Sequence, residues 1–329
     1  MIKKTCLLLI AFLVVLPACS PNSASRPAAN EPQKIRLPMG YIPNVQYAPF
    51  YVAAEKGFFR QAGLEIEFDY STETDGVALV GANELPFSLV SGEQVLLARA
   101  QGLPVVYVLA WWHDYPVAVA SMADKGIKTP ADLKGMKIGL PGLFGASYIG
   151  LRALLDAGNL TEDDVRLDSI GFNQVEALVS KRVDSVVIYA NNEPIQLAKL
   201  GYAIDLVRVA DYVELSSNGL LSNEKTIAEN PDLVQRMVRA MLKGIAYTLD
   251  HPDEAFEICK KYIGDLDPQQ QEVQKAVLNA SLEFWKTDRP GYSSLESWEN
   301  MQRVLLEMGM LEAPLELDKA FTNQFIETK

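Results

Sequence analysis

From Ile35 to Leu200, short runs dominated by Val, Ile, Leu, Phe and Tyr alternate with amphipathic stretches, and this alternation restricts the chain more than any other feature. Strands separated by helix-length segments have no hairpin to join them. They pair in parallel and carry the helices on their faces, which is an α/β fold. Strands are expected at 35–40, 64–68, 86–90, 104–111, 137–140, 168–172 and 185–189, and helices at 48–56, 92–100, 147–157, 174–180 and 194–200. From Asn230 the pattern turns helical. Asn230-Pro231-Asp232 sets a capping side chain ahead of a proline suited to the first helical turn, and that helix should reach Leu249. Further helices should cover 252–262, 269–285 and 295–308.

The chain thus begins and ends with one kind of unit and holds a second α/β unit between, crossing near 116–122 and again near 216–222. The expected division is a first lobe of residues 34–118 plus 218–329 and a second lobe of residues 119–217. Each should be a mostly parallel sheet flanked by helices. Loops at the carboxyl ends of the strands would then face one another across a cleft able to close on a ligand.

The first residues bear on where the protein works. Lys3 and Lys4 precede the apolar run from Leu7 to Leu16, which is shorter than the roughly 20 residues a membrane span needs and reads as a signal peptide over 1–18. Leu16-Pro17-Ala18-Cys19 resembles a lipobox, which implies acylation of Cys19 and a lipid anchor in the membrane. Residues 19–33, rich in Ser, Pro, Ala and Asn, bury too little apolar surface to fold and read as a tether. No later segment is apolar for long enough to span a bilayer.

Charge and cysteine content narrow the partners. Two of the 30 basic residues lie in the leader, which leaves 28 against 42 acidic ones, a balance of about −14 that repels nucleic acid. Of the three cysteines, Cys6 leaves with the leader, Cys19 is the acylation site and Cys259 has no partner, so no disulfide is expected.

Several short motifs carry a resemblance. Gly57-Phe58-Phe59 precedes Gly63-Leu64-Glu65-Ile66-Glu67. Thr129-Pro130-Ala131-Asp132-Leu133-Lys134-Gly135 precedes Lys137-Ile138-Gly139, and Val183-Asp184-Ser185 and Asn230-Pro231-Asp232 follow. In order and spacing these resemble the substrate-binding proteins of ABC importers, in the branch that holds sulfonate and taurine binders, thiamine-pyrimidine binders, riboflavin binders and the fungal thiamine-pyrimidine synthase. The resemblance covers about 35–327. It implies a two-lobed type II periplasmic-binding-protein fold, a monomer that hands a small solute to an ABC permease, and no cofactor.

In such a fold ligands meet strand-exit loops and helix N-termini. The stretch GYIPNVQYAPFYVAAEKGFF, residues 40–59, supplies Tyr41, Asn44, Gln46 and Tyr47 as one wall, while Phe50 and Tyr51 fall on the helix pattern and belong to the core. The other exits supply Ser91, Gly92 and Glu93; Trp112; Phe144, Gly145, Ala146, Ser147 and Tyr148; and Tyr189, Asn191, Asn192 and Glu193. Trp111 and Trp112 sit at a strand end, where alternation sends them to opposite faces, and Trp112 is the one assigned to the cleft. Asn218, near the second crossing, is a hinge or a pocket residue.

The exit segments 41–47, 88–94, 111–115, 142–148 and 189–193 carry the carboxylates Glu93, Asp114 and Glu193 but no Lys or Arg, the usual partners of a sulfonate or phosphate. They offer flat rings with polar tips, amides and three carboxylates, an inventory for a neutral heteroaromatic solute. A tricyclic ring with a polyol tail makes riboflavin the favoured ligand, with an aminopyrimidine next and a sulfonate or small acid after it. Catalysis is not expected. His113 and His251 have no nucleophile-elbow serine or cysteine beside them, no Cys or His pair has metal-ligand spacing, and residues 142–147 lack the Lys-Ser/Thr ending of a phosphate loop. The synthase's cysteine-rich iron motif has no counterpart in this chain.

Overall fold

A computed structural model describes residues 31–326. The leader, the acylation site Cys19 and nearly all of the tether lie outside the described residues. Among the described residues ten strands are formed: β1 Gln33–Gly40, β2 Leu64–Thr72, β3 Ser88–Val90, β4 Val105–Ala110, β5 Val117–Met122, β6 Lys137–Leu140, β7 Arg166–Ser169, β8 Ser185–Tyr189, β9 Ile204–Arg208 and β10 Gly219–Asn223.

The fold is α/β and two-lobed. In the first lobe β1 pairs with β2 in parallel, while β10 lies between β3 and β4 and runs antiparallel to both. In the second, five strands are ordered β7-β6-β8-β5-β9. There β6 is parallel to β7 and β8, and β5 is antiparallel to β8 and β9. The sheets are therefore mixed rather than mostly parallel, and the reason is topological. The segments expected as crossings between lobes are themselves strands, β5 and β10, and each enters its sheet from the opposite end to its neighbours. The edge strand β9 has no sequence expectation behind it.

Local chemistry accounts for the elements nearest the cleft. Gly40 ends β1 at φ +81°, a conformation that favours glycine, and a Cβ there would stand 2.6 Å from Cγ of Glu73. Asn44 then caps the turn Val45–Tyr47, its side chain accepting from the Gln46 N–H at 2.9 Å, and Pro49 lies in the first turn of helix Ala48–Glu55. β2 runs on to Thr72, four residues beyond the expected end. Thr72 accepts from the Asp75 N–H at 3.3 Å and starts helix Glu73–Gly81, an element the sequence pattern passes over. That helix can press against β3 because Gly76 has no side chain: a Cβ there would lie 2.2 Å from Ser88 Oγ.

Phe50, Tyr51, Tyr47, Trp111, Trp112 and Trp285 belong to one large apolar core under the first lobe. A second core joins helix Gly92–Ala100 through Val95 and Leu96 to helix Gly145–Ala157 through Leu151 and Leu154, with Trp298, Met301 and Leu305 of helix Leu295–Glu307 bracing the join. The lobes are thus packed together on one side and open on the other. Cys259 is buried without a disulfide. Among the described residues no helix is long and apolar enough to cross a membrane.

Candidate functional site

On the open side lies a cavity of about 350 Å³, walled by residues of both lobes, within the size range usual for small-molecule sites. The first lobe contributes a layer of rings. Tyr47 stacks on Trp111 at 5.4 Å and 23°, and Trp111 meets Trp112 edge-on at 5.4 Å. The Tyr47 hydroxyl donates to the Met39 carbonyl at 2.7 Å, which pins the ring to the strand it has just left.

Both tryptophans line the cavity, which corrects the expectation of opposite faces. β4 ends at Ala110, and the N–H groups of Trp111 and Trp112 both donate to the Asn218 carbonyl at 3.0 Å. The chain has left extended geometry, and alternation no longer applies. Asn218 itself lines the cavity. Phe50 and Tyr51 lie in the core, as read from the helix pattern.

The second lobe contributes helix starts. Phe144 precedes helix Gly145–Ala157, and Gly145, Ala146 and Ser147 of its first turn line the cavity beside it. Gln174 opens helix Gln174–Val179 with Phe172 just before it, and Asn192 and Glu193 open helix Glu193–Lys199. Tyr41 reaches over from the first lobe to meet Phe172 edge-on at 4.9 Å, and Trp112 meets Tyr189 edge-on at 6.0 Å. Phe144 and Phe172 are 64% and 61% exposed at the mouth.

Of the residues read from the sequence, Tyr41, Gln46, Tyr47, Trp112, Phe144, Gly145, Ala146, Ser147, Tyr189, Asn192 and Glu193 line the cavity. Asn44, Ser91, Gly92, Glu93, Tyr148 and Asn191 do not, and each has a structural occupation instead. Asn44 is the cap of its turn. Gly92 packs so tightly on Ser216 that a Cβ would lie 2.3 Å from the hydroxyl, and Glu93 is fully buried behind Ser91. Tyr148 points away to Glu162 and Arg152. Asn191 is fully buried as a bridge: its Oδ1 accepts from Gln46 Nε2 at 3.1 Å, and its Nδ2 donates to Ser281 Oγ at 2.7 Å.

Sequence reasoning missed the segment Tyr70–Thr74 together with Phe172 and Gln174. The signal for the first was Thr72 followed by acidic Glu73 and Asp75, a helix-start pattern hidden by the glycines after it. His113 lies not in this cavity but on a separate open hollow with Lys286 and Arg289.

Among the described residues no Lys or Arg lines the cavity; its charged groups are Glu73 and Glu193. Burial pushes the Glu193 carboxyl up to about 7, against the N–H groups of Glu193 and Tyr189 that favour its ionised form. The Tyr189 N–H donates to it at 3.0 Å. Burial pushes the Tyr41 phenol up to about 12, with Glu193 adding to the effect. Trp111 Nε1, Trp112 Nε1 and Asn218 Oδ1 are buried without a hydrogen-bond partner among the described residues. Unpaired buried polar atoms are costly, and their gathering on one cavity is what a site for a polar planar solute provides. No group of three or more His, Cys, Asp and Glu among the described residues is placed to hold a metal ion.

Comparison with known proteins gives matches over most of the chain. Residues 44–255 match the family described as NMT1/THI5 like. The chain is 39% identical over 319 residues to the riboflavin-binding protein RibY of Chloroflexus aurantiacus, covering 94% of this chain and 91% of that protein. It is 32% identical over 324 residues to the formylaminopyrimidine-binding protein of Halalkalibacterium halodurans, covering 96% and 97%. Among solved structures, the periplasmic aliphatic sulphonate binding protein SsuA of Escherichia coli superposes with a TM-score of 0.71 at 15% identity, covering 88% of this chain and 97% of that one.

Proposed function

Since the chain belongs to the NMT1/THI5-like family, we propose that it is the solute-binding component of an ABC importer and that it captures riboflavin outside the cytoplasmic membrane. The observation that carries this reading is the cavity itself: stacked Tyr47 and Trp111, flanked by Trp112, Tyr41 and Tyr189, with carboxylates and amides but no cation. A flat heteroaromatic gains from such rings by stacking and edge contacts, about 0.5–1.5 kcal/mol per pair beyond area burial. Its ring N–H groups find Glu193 and its carbonyls find indole N–H donors. A sulfonate would meet two carboxylates and no balancing cation, so likeness to the sulphonate binder is a likeness of fold. The relative that binds riboflavin supports the choice of ligand.

In this reading Cys19 carries the lipid that keeps the protein at the membrane, and the loaded form is what the permease meets. The lobes divide at 118/119 and 217/218; the five-stranded sheet, whose strands all come from residues 117–208, supports a division near these points. Closure follows from a ligand that touches both lobes and so favours the closed state. The protein binds and releases its solute unchanged.

An aminopyrimidine is the second reading. Glu193, at the start of its helix, can accept from a ring amino group, and the formylaminopyrimidine binder is similar over nearly the whole chain. The test is titration of unlipidated protein, beginning at Asn22, into riboflavin while flavin fluorescence is followed. Saturable quenching at one site, with the flavin recovered intact, is expected. No quenching, together with a thermal shift on formylaminopyrimidine, would move the ligand to the pyrimidine. An altered flavin would overturn the reading as a pure binding protein.

A further inference from the structure

Behind the cavity wall two carboxyl groups meet around one hydroxyl. Glu73, the first residue of its helix, faces the cavity, while Glu93, in the first turn of helix Gly92–Ala100, is fully buried. Ser91 Oγ lies 2.7 Å from Glu73 Oε2 and is also hydrogen-bonded to Glu93 Oε1. The Ser91 N–H leans toward the same Glu73 oxygen at 3.4 Å.

A serine hydroxyl has one proton to donate and lone pairs to accept with. If both carboxyls were ionised, Ser91 could satisfy only one, and the other contact would set two lone pairs against each other. Both contacts are hydrogen bonds only when one carboxyl carries a proton. The surroundings point to Glu93 as its holder. Burial and the Glu73 charge push Glu93 up to about 8, with only Ser91, Gln94 and its own N–H opposing, whereas Glu73 takes two donors from Ser91. The titratable groups facing the pair are the phenols of Tyr47, Tyr115 and Tyr189, all pushed up by burial and by these carboxyls. No cation acts on either carboxyl among the described residues. Independently, the buried and partnerless Trp111 Nε1 and Trp112 Nε1 belong to the same cavity wall.

The geometry points to Glu73 and Glu93 acting through Ser91 as a proton-sharing pair, in which Glu93 holds the proton, Ser91 passes its own hydrogen bond to Glu73, and Glu73 presents an acceptor to an N–H of the ligand. Glu73 is then a specificity-determining residue that rejects solutes with an anion or a bare acceptor at that point, and Glu93 is its positioning residue. Loss of the Glu93 proton sets two carboxylates on one hydroxyl and drives Glu73 out of position.

This rests on the flavin reading for its probe but not for its first measurement. With glutamate carboxyl carbons labelled, a ligand-free NMR titration should find one carboxyl besides Glu193 titrating between about pH 7 and 9, and Glu73→Gln should return it toward the ordinary range. If every carboxyl other than Glu193 ionises below about pH 6, the shared proton is disproved. For riboflavin, affinity should fall about tenfold from pH 6.5 to 9, since a group releasing its proton near pH 8 is mostly ionised at pH 9. Glu93→Gln, which keeps a donor toward Ser91, should remove this fall in affinity. An unchanged fall in that variant would overturn the link between the pair and the ligand. Wild-type protein that binds no riboflavin at any pH would fail the functional reading instead, and the ligand-free titration would still decide the shared proton.

Discussion

The two walls of the cleft are built from different material. The first-lobe wall is the exposed edge of a hydrophobic core: Trp112 is 2% exposed and Tyr47 5%, and both belong to the cluster that holds Phe50, Tyr51 and Trp285. The second-lobe wall is a set of helix starts, in which Phe144 and Phe172 stand largely in solvent while Gln174, Asn192 and Glu193 are buried beside them. One wall is rigid because it also holds the lobe together. The other has rings left largely in solvent, which gain further apolar contact when something fills the cleft. A ligand therefore finds a preformed ring platform on one side and groups on the other that close over it, and substitutions on the two sides should differ in kind.

The largest effect is expected on the core wall. Trp112→Ala removes a fully enclosed indole and should destabilise the fold by about 3–5 kcal/mol, read by urea unfolding. Weakened binding in that variant would say nothing about the ligand, because the platform itself is damaged. Unchanged stability would break the contrast, since it would mean that Trp112 serves the ligand alone. A gentler probe of the same wall is Tyr47→Phe, which keeps the stack on Trp111 and deletes only the bond to Met39.

The second effect, smaller, concerns charge on the helix-start wall. The Glu193 carboxyl is held near 7 in the fold against 4.5 as its ordinary value. Between those values the unfolded chain has released the proton and the folded one still binds it, so this group makes stability fall as pH rises across that window. Below about 4.5 both states are protonated and the penalty is absent. Glu193→Gln should remove this group's share of the slope and raise the melting temperature at pH 8 by roughly 5 °C relative to wild type, read by calorimetry from pH 4.5 to 8. Identical pH profiles for the two proteins would show that Glu193 is ionised in the fold and better solvated than its burial indicates.

The same contrast explains what could be read from the sequence. Helix and strand periodicities carried the α/β class and the elements that bury one face, and β6 and β8 stand where the pattern set them. Strand-exit loops carried most of the cavity, Tyr41, Gln46, Tyr47 and Phe144 through Ser147 among them. What stayed hidden depends on contacts between distant residues. Helix Glu73–Gly81 has poor helix formers in Gly76 and Gly81, and it stands because Gly76 admits Ser88 and Thr72 caps it. Trp111 joins Trp112 on one wall because both bond a carbonyl more than 100 residues away, a turn that local alternation cannot reveal. Asn191 looked like a cleft amide and is a bridge, because Ser281 lies in a helix 90 residues later. Antiparallel β5 and β10 follow from the chain's double passage between lobes, which composition does not record.

The smallest effect is the sharpest test of the comparison. Phe144→Ala and Phe172→Ala remove rings that are mostly in water, so unfolding free energies should stay within about 0.5 kcal/mol of wild type. Each ring should nevertheless contribute to holding a planar ligand by about 0.5–1.5 kcal/mol, a loss of roughly two- to twelvefold in affinity for riboflavin. The loss should appear mainly as faster release, since the platform that first receives the ligand is intact. Phe172→Ala should have the larger effect of the two, because its ring also meets Tyr41 across the cleft and its removal leaves that contact unmade. Stopped-flow dissociation alongside denaturant unfolding separates the quantities. Loss of stability without loss of affinity would invert the roles of the two walls, and loss of neither would leave the exposed rings outside the closed site.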